Sequence, residues 1–79
     1  MPDVLMPRLS DSMEDGAIMT WLKADGDSVA AGEELVEIET DKATMVYEAP
    51  HTGVLRIGAA EGETVAVGDP IAAIEAAGS

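Results

Sequence analysis

The sequence predicts an all-β fold, a small sandwich or barrel of two similar halves, from three observations. Apolar stretches of strand length recur throughout the chain. Turn signals separate these stretches at intervals of about 8–12 residues, a spacing typical of all-β sandwiches and barrels. The chain also contains an internal repeat, which predicts two halves related by an approximate two-fold axis.

Six apolar stretches predict the longer strands, at residues 4–6, 17–22, 35–39, 44–48, 54–57 and 71–74. Val29 and Val65 predict two shorter strands between turns. Glycine lies in each of the four clearest turns, at Gly26, Gly32, Gly62 and Gly68. The sequence therefore predicts eight strands in one small domain.

Residues 35–46 also carry apolar side chains near the i, i+3/i+4 spacing of a helix. A cluster of β-branched residues in the same segment favours strands instead. The matching segment of the second half, from Gly68 through Pro70 to Ile71, is too short and too interrupted for a helix. We therefore expect strands here.

The repeat aligns residues 26–39 with residues 62–75 at an offset of 36. The aligned pairs include Gly26/Gly62, Val29/Val65, Gly32/Gly68, Leu35/Ile71, Ile38/Ile74 and Glu39/Glu75. Residues 16–18 match residues 53–55 once a one-residue gap is allowed. Two copies are too few for a solenoid, so we expect a single globule.

The chain has 79 residues and a formal net charge of −12, with no cysteine. This length predicts one domain, over residues 1–76, followed at 77–79 by a linker or cloning remnant. The acidic surface disfavours nucleic acid and anionic membranes as partners. No apolar run approaches the length of a membrane span, and no secretory signal begins the chain.

Catalytic and metal-binding residues are not predicted. The one histidine, His51, lies in a predicted turn, where we expect an exposed residue and no catalytic triad. The acidic segment at residues 10–16 lacks the ligand spacing of a calcium loop, and no glycine-rich phosphate loop is present.

The four cations are rare enough to consider one by one. Arg8 follows the first strand, and Lys23 and Arg56 are expected at equivalent places in the two halves. Lys42 lies between two predicted strands, at the boundary of the repeats. A hairpin of these strands would place Asp41 and Lys42 at its tip, although two-residue hairpin loops usually contain glycine or asparagine. A type I turn accepts both residues.

Four motifs follow one another in order along the chain. They are Met6-Pro7-x-Leu9-Ser10-Asp11-Ser12-Met13-Glu14-Asp15-Gly16, Trp21-Leu22-Lys23, Gly26-Asp27-x-Val29-x-x-Gly32-Glu33 and Glu37-Ile38-Glu39-Thr40-Asp41-Lys42-Ala43. Together they resemble the lipoyl domain of dihydrolipoamide acyltransferases, the E2 components of 2-oxoacid dehydrogenase complexes. The resemblance covers essentially the whole chain and is strongest to pyruvate-type acetyltransferases.

The resemblance implies a flattened barrel of two four-stranded antiparallel sheets with quasi-two-fold symmetry. It implies lipoate in amide linkage to Lys42, as a swinging arm. The thiamine-diphosphate enzyme E1 would reductively acylate this arm. The arm would then pass the acyl group, for which acetyl is favoured, to coenzyme A at the E2 catalytic core. The flavoenzyme E3 would finally reoxidise the arm. The domain itself would be non-catalytic, because the cofactor carries the chemistry and the protein presents it.

The resemblance also implies roles for neighbouring residues. Asp41 and Ala43 would fix the turn for a lipoyl ligase, which we expect to recognise Glu39 as well. A loop beside the turn would help E1 to select its substrate. This loop consists of Leu9, Ser10, Asp11, Ser12, Met13, Glu14 and Asp15.

The sequence is also compatible with other kinds of domain and with several parent proteins. A biotinyl carrier domain has the same architecture, but its lysine usually lies between methionines, whereas Asp41 and Ala43 flank Lys42. An unmodified adaptor module would instead bind partners through the acidic surface. The parent chain could be an E2, an E3-binding protein or an E3 fusion, in a pyruvate or an acetoin complex. We expect a monomeric domain in the bacterial cytoplasm, with the mitochondrial matrix as the alternative.

Overall fold

The computed structural model describes residues 3–76, which form eight β-strands and no helix. The strands are β1 (Asp3–Leu5), β2 (Asp15–Trp21), β3 (Ser28–Val29), β4 (Glu34–Glu39), β5 (Thr44–Glu48), β6 (Gly53–Ile57), β7 (Thr64–Ala66) and β8 (Pro70–Glu75). The eight predicted strands are confirmed, with ends that differ by two residues at most. The predicted linker at 77–79 lies outside the described residues.

The strands form two antiparallel sheets of four, in the orders β1-β8-β6-β3 and β5-β4-β2-β7. This confirms the predicted all-β architecture. Each sheet ends in two edge strands, so the sheets form a sandwich and do not close into a continuous barrel. The two orders are related by a shift of four strands, with the count returning to β1 after β8: β1, β8, β6 and β3 of the first sheet correspond to β5, β4, β2 and β7 of the second. The predicted two-fold relation therefore holds for the sheet topology.

Individual hydrogen bonds repeat in the same way. The Gly26 N–H donates to the Leu55 carbonyl at 2.7 Å, and the Gly62 N–H donates to the Ile18 carbonyl at 2.7 Å. The glycines of the four turns have φ angles of 90° (Gly26), 92° (Gly32), 94° (Gly62) and 94° (Gly68). This left-handed region is costly for a residue with a Cβ atom, which explains glycine at all four turns.

The gap in the sequence repeat corresponds to a β-bulge. In the pairing of β2 with β4, Ile18 faces Ile38 and Thr20 faces Glu37, so Met19 has no partner. The equivalent pairing of β6 with β8 runs without interruption from Val54 to Ile57. Met19 is therefore the extra residue in the first half, as expected of a bulge.

The strand pairing corrects one prediction about the cations. The Leu22 N–H bonds to Leu35 as the Gly58 N–H bonds to Ile71, so Lys23 corresponds to Ala59. Arg56 corresponds to Thr20, because these residues occupy matching pairs with β8 and β4. Lys23 and Arg56 are consequently not equivalent, because they lie three residues apart once the two halves are aligned.

The core lies between the two sheets and is built from equivalent side chains of both halves. Ile18, Leu35 and Ile38 are fully buried, as are their counterparts Leu55, Ile71 and Ile74; Val4, Met6, Met13, Val29, Val36, Ala49, Ala59 and Ala72 complete the buried set. No charged or polar residue is buried in the described part of the chain. Burial of one such aliphatic side chain contributes roughly 1.5–3 kcal/mol.

Candidate functional site

Lys42 lies at the tip of the hairpin formed by β4 and β5. The last pair of the hairpin joins Glu39 to Thr44, and residues 40–43 connect the two strands. We call these four residues the central turn. Asp41, Lys42 and Ala43 are all exposed, as the sequence predicts for a hairpin tip.

The hydroxyl group of Thr40 organises the central turn. Its oxygen accepts hydrogen bonds from the backbone N–H of Lys42 at 3.2 Å and of Ala43 at 3.1 Å, and it donates to the Ala43 carbonyl at 2.9 Å. The Thr40 N–H also donates to that carbonyl, at 2.8 Å. The side chain thus forms hydrogen bonds with backbone groups of the turn that would otherwise be bonded only to water.

This arrangement explains how the turn dispenses with glycine. No non-glycine residue of the described chain has a positive φ angle, so Asp41 and Lys42 do not form the primed turn usual in two-residue hairpin loops. Thr40 was not among the predicted site residues. The available signal was a threonine at the first position of a predicted turn, where hydroxyl groups commonly bond the backbone two or three residues on.

The side chain of Asp41 points away from the turn, towards the loop of residues 9–15. Ser12 Oγ donates to Asp41 Oδ2 at 2.8 Å, and Ser10 Oγ lies 3.4 Å from Asp41 Oδ1. The predicted loop and the predicted turn residues are therefore in direct contact. The two segments are 29 residues apart in sequence at Ser12 and Asp41.

The 9–15 loop is anchored in the core by Met13. This side chain is 1% exposed, and its Sδ accepts a hydrogen bond from the Leu9 N–H at 3.1 Å. Arg8 Nη1 donates to the Met13 carbonyl at 2.8 Å, and the Met13 N–H donates to the Ser10 carbonyl at 3.2 Å. Met13 therefore anchors the loop in the core, and only the neighbouring residues of the loop can present side chains to a partner.

The remaining predicted residues surround the turn. Asp11, Glu14 and Asp15 are exposed, and Leu9 packs against the core at intermediate exposure. Glu39 is exposed at the end of β4, where it is paired with Ala17 of β2 as well as with Thr44. The structure thus brings the acidic loop and the central turn to the same end of sheet β5-β4-β2-β7.

The ammonium group of Lys42 is exposed and unpaired within residues 3–76. The two ion pairs of this region join Lys23 Nζ to Glu33 at 3.2 Å and Arg56 Nε to Glu75 at 3.5 Å. Arg8 is engaged by the Met13 carbonyl. Lys42 is therefore the cation whose side chain is available to an external reactant.

Other kinds of site find little support in the described structure. Residues 3–76 contain no pocket, no group of three or more side chains able to hold a metal ion, and no helix long and apolar enough to cross a membrane. His51 is exposed in the turn before β6, as predicted.

Comparison with known proteins identifies the family. A protein-family model for biotin and lipoyl attachment domains, described as "Biotin-requiring enzyme", matches residues 2–74. A solved lipoyl domain of the 2-oxoglutarate dehydrogenase complex from Azotobacter vinelandii superposes with a TM-score of 0.78 at 35% identity, over 99% of this chain and 100% of that one. This chain belongs to the lipoyl domains of the biotin/lipoyl family.

Curated relatives of this lipoyl domain include acyltransferase components of two kinds of complex. One is the dihydrolipoyllysine-residue succinyltransferase of the 2-oxoglutarate dehydrogenase complex of Staphylococcus saprophyticus, which is 47% identical over 94% of this chain. Another is the dihydrolipoyllysine-residue acetyltransferase of the pyruvate dehydrogenase complex of Zymomonas mobilis, which is 46% identical over 96% of this chain. The lipoyl domain spans 18% of the length of each. Similarity of this degree does not separate the two acyl groups.

Proposed function

We propose that this lipoyl domain carries lipoate in amide linkage to Lys42. The observation that carries the proposal is the exposed ammonium group, unpaired within residues 3–76, at the tip of the β4–β5 hairpin of a lipoyl domain. Lysine suits this role because its amine lies at the end of a long flexible stem. Lipoate, when bound, supplies the disulfide that accepts an acyl group and two electrons.

The residues around Lys42 have separate tasks in this proposal. Thr40 holds the central turn in shape through its hydroxyl group. Asp41, Ala43 and Glu39 form the exposed surroundings of the lysine that a lipoyl ligase meets. The acidic 9–15 loop lies beside the turn and is proposed to contribute to recognition by E1.

We propose further that the parent protein is an acyltransferase of a 2-oxoacid dehydrogenase complex, with acetyl as the favoured cargo. Its partners would then be E1, the E2 catalytic core, E3 and a lipoyl ligase. Tethering the cofactor to a domain linked to these enzymes raises its effective concentration at each active site. The bacterial cytoplasm is the proposed compartment, and several relatives are bacterial E2 components.

Intact-mass measurement tests the attachment site. Incubation of the domain with a lipoyl ligase, lipoate and ATP should add one lipoyl group, and peptide mapping should find it on Lys42. Lys42→Arg should abolish the adduct while leaving the fold intact, because the side chain is exposed. Lys23→Arg is the matched control and should be modified normally. An adduct on another residue, or none on the wild-type chain, would contradict the proposal.

The same preparation decides between cofactors and between cargoes. Parallel incubation with a biotin ligase and biotin should leave the domain unmodified. The lipoylated domain should be acylated faster by pyruvate dehydrogenase E1 with pyruvate than by 2-oxoglutarate dehydrogenase E1 with 2-oxoglutarate. Preference for 2-oxoglutarate would assign a succinyl cargo and overturn the proposed acetyl group.

A further inference from the structure

The 9–15 loop and the central turn are each folded by their own contacts. Met13 anchors the loop by burial and by the hydrogen bonds of Leu9 and Arg8. The Thr40 hydroxyl group closes the turn without help from the loop. Neither set of contacts fixes the position of one segment relative to the other.

Two side-chain hydrogen bonds join these segments, both to the carboxylate of Asp41. The Ser12 bond, at 2.8 Å, has the usual length of an O–H···O hydrogen bond, whereas the Ser10 bond, at 3.4 Å, is at the limit for such contacts. The serines approach different oxygens of the carboxylate. Ser12 consequently dominates the link, and both oxygens of Asp41 are needed to hold the two hydroxyl groups.

We propose that Ser12 is a positioning residue: its hydrogen bond to Asp41 fixes the 9–15 loop against the lysine-bearing turn, so that the acylating enzyme meets one preformed surface. The inference rests on the proposed attachment at Lys42 for its enzymatic consequence. A loop released from the turn would have to be ordered again at each encounter, and this ordering entropy weakens binding without altering contacts.

The link also gives Asp41 a task distinct from that of Thr40. The Thr40 hydroxyl bonds the backbone of Lys42 and Ala43, whereas the Asp41 side chain makes its hydrogen bonds outside the turn. Asp41→Asn preserves the size of the side chain but offers one acceptor oxygen instead of two. This change should loosen the loop and leave the turn closed.

NMR of the unmodified domain tests the link directly. Ser12→Ala should shift the amide signals of residues 40–43 and lower the order parameters of residues 10–12 from about 0.85 towards about 0.6. Ser12→Thr keeps a hydroxyl group and should restore both. Ser28→Ala, at an exposed serine of β3, is the matched control and should change neither. Unchanged signals and order in Ser12→Ala would overturn the proposal.

Reductive acylation of the fully lipoylated domain tests the consequence. With the E1 that acylates the wild-type domain, Ser12→Ala should raise KM about fivefold with kcat nearly unchanged, the pattern of lost uniform binding. Ser12→Thr should recover most of this loss. Equal KM values for Ser12→Ala and the wild type would overturn the inference. Failure of the wild-type chain to be lipoylated would refute the attachment site instead, while the NMR comparison would still decide the link.

Discussion

At the scale of single residues, the hydroxyl group of Thr40 holds the central turn in shape, and the carboxylate of Asp41 joins the turn to the 9–15 loop. Thr40 bonds two backbone N–H groups of the turn and the carbonyl that closes it. The turn can therefore carry Asp41 and Lys42 in place of the glycine that a primed turn demands. A threonine at the start of the turn leaves the tip free for the lysine.

Replacement of Thr40 should reveal this role. Thr40→Val keeps the shape of the side chain but removes the oxygen, so two N–H groups lose their acceptor, and we expect unfolding to become easier by about 1 kcal/mol. Thr40→Ser retains the oxygen and should cost clearly less. Urea unfolding of the three proteins checks this, with an equal loss in both variants as the contradicting result.

Away from the central turn, hydrogen bonds and an ion pair stabilise the charged form of the Glu33 carboxyl group. The pKa of its carboxyl group lies below the ordinary value of 4.5, because the Ala30 N–H donates to it at 2.6 Å and because Lys23 pairs with it. These contacts stabilise the charged form, so they favour folding at neutral pH. The carboxylate thereby supports the turn at Gly32, which lies between Ala30 and Glu33.

The pH dependence of stability follows with a definite sign. A lowered pKa in the folded state means that the contribution of Glu33 is complete above pH 4.5 and is lost as the pH falls through the folded-state pKa. Glu33→Gln should therefore be less stable than the wild type at pH 7, and the difference should shrink as the solution is acidified below pH 4.5. Urea unfolding at several pH values provides the measurement. A difference that grew on acidification would contradict the assignment.

At the scale of strands, two equivalent glycines lie where the neighbouring strand of the same sheet leaves little room for a Cβ atom. A Cβ atom on Gly16 of β2 would lie 2.8 Å from Ile38 Cγ2, and one on Gly53 of β6 would lie 2.8 Å from Ile74 Cγ2. The other neighbours differ. Gly16 faces the ends of the Met13 and Met6 side chains, whereas Gly53 faces the backbone carbonyl of Glu75.

This difference predicts unequal tolerance of alanine. In Gly16→Ala the flexible methionine side chains can move aside, and we expect a loss of about 1 kcal/mol. In Gly53→Ala the new methyl group meets backbone of the neighbouring strand β8, so the sheet itself must shift, and the loss should be about 3 kcal/mol or more. Thermal or urea unfolding of the two variants compares them. Equal losses would show that the equivalent positions are equally confined.

The strands were predictable from the sequence, but the contacts around the site were only partly so. Glycines at four turns and the repeat indicate where several strands begin and end, because φ angles near +90° are costly for other residues. The burial of Met13 and the bond from Ser12 to Asp41 depend on how segments 29 residues apart meet in space. An exposed serine near an aspartate is common in sequence, so such a bond cannot be recognised before the fold is known.

At the scale of the whole molecule, the domain combines a small symmetric core with a strongly acidic surface. The net charge is −12, and no charged residue is buried within residues 3–76. Attachment of lipoate would remove the positive charge of Lys42 and make the balance more negative by one unit. A surface of this kind keeps a domain soluble and disfavours nonspecific association as it moves between partners.

The two-fold relation of the strands has a consequence for the first and last strands, β1 and β8. The pairing of Asp3 with Ala73 matches that of Val46 with Glu37, so β8 and β1 form the same unit as the β4–β5 hairpin, but without a connecting turn. Six residues separate Glu39 from Val46, and six would separate Glu75 from Asp3 if residue 79 were joined to residue 1. The fold therefore contains the same antiparallel pairing twice, once with a connecting turn and once between strands that are distant in sequence. A cyclic form of this chain, with residues 76–79 replaced by a second copy of residues 40–43, would present a lysine-bearing turn in each half.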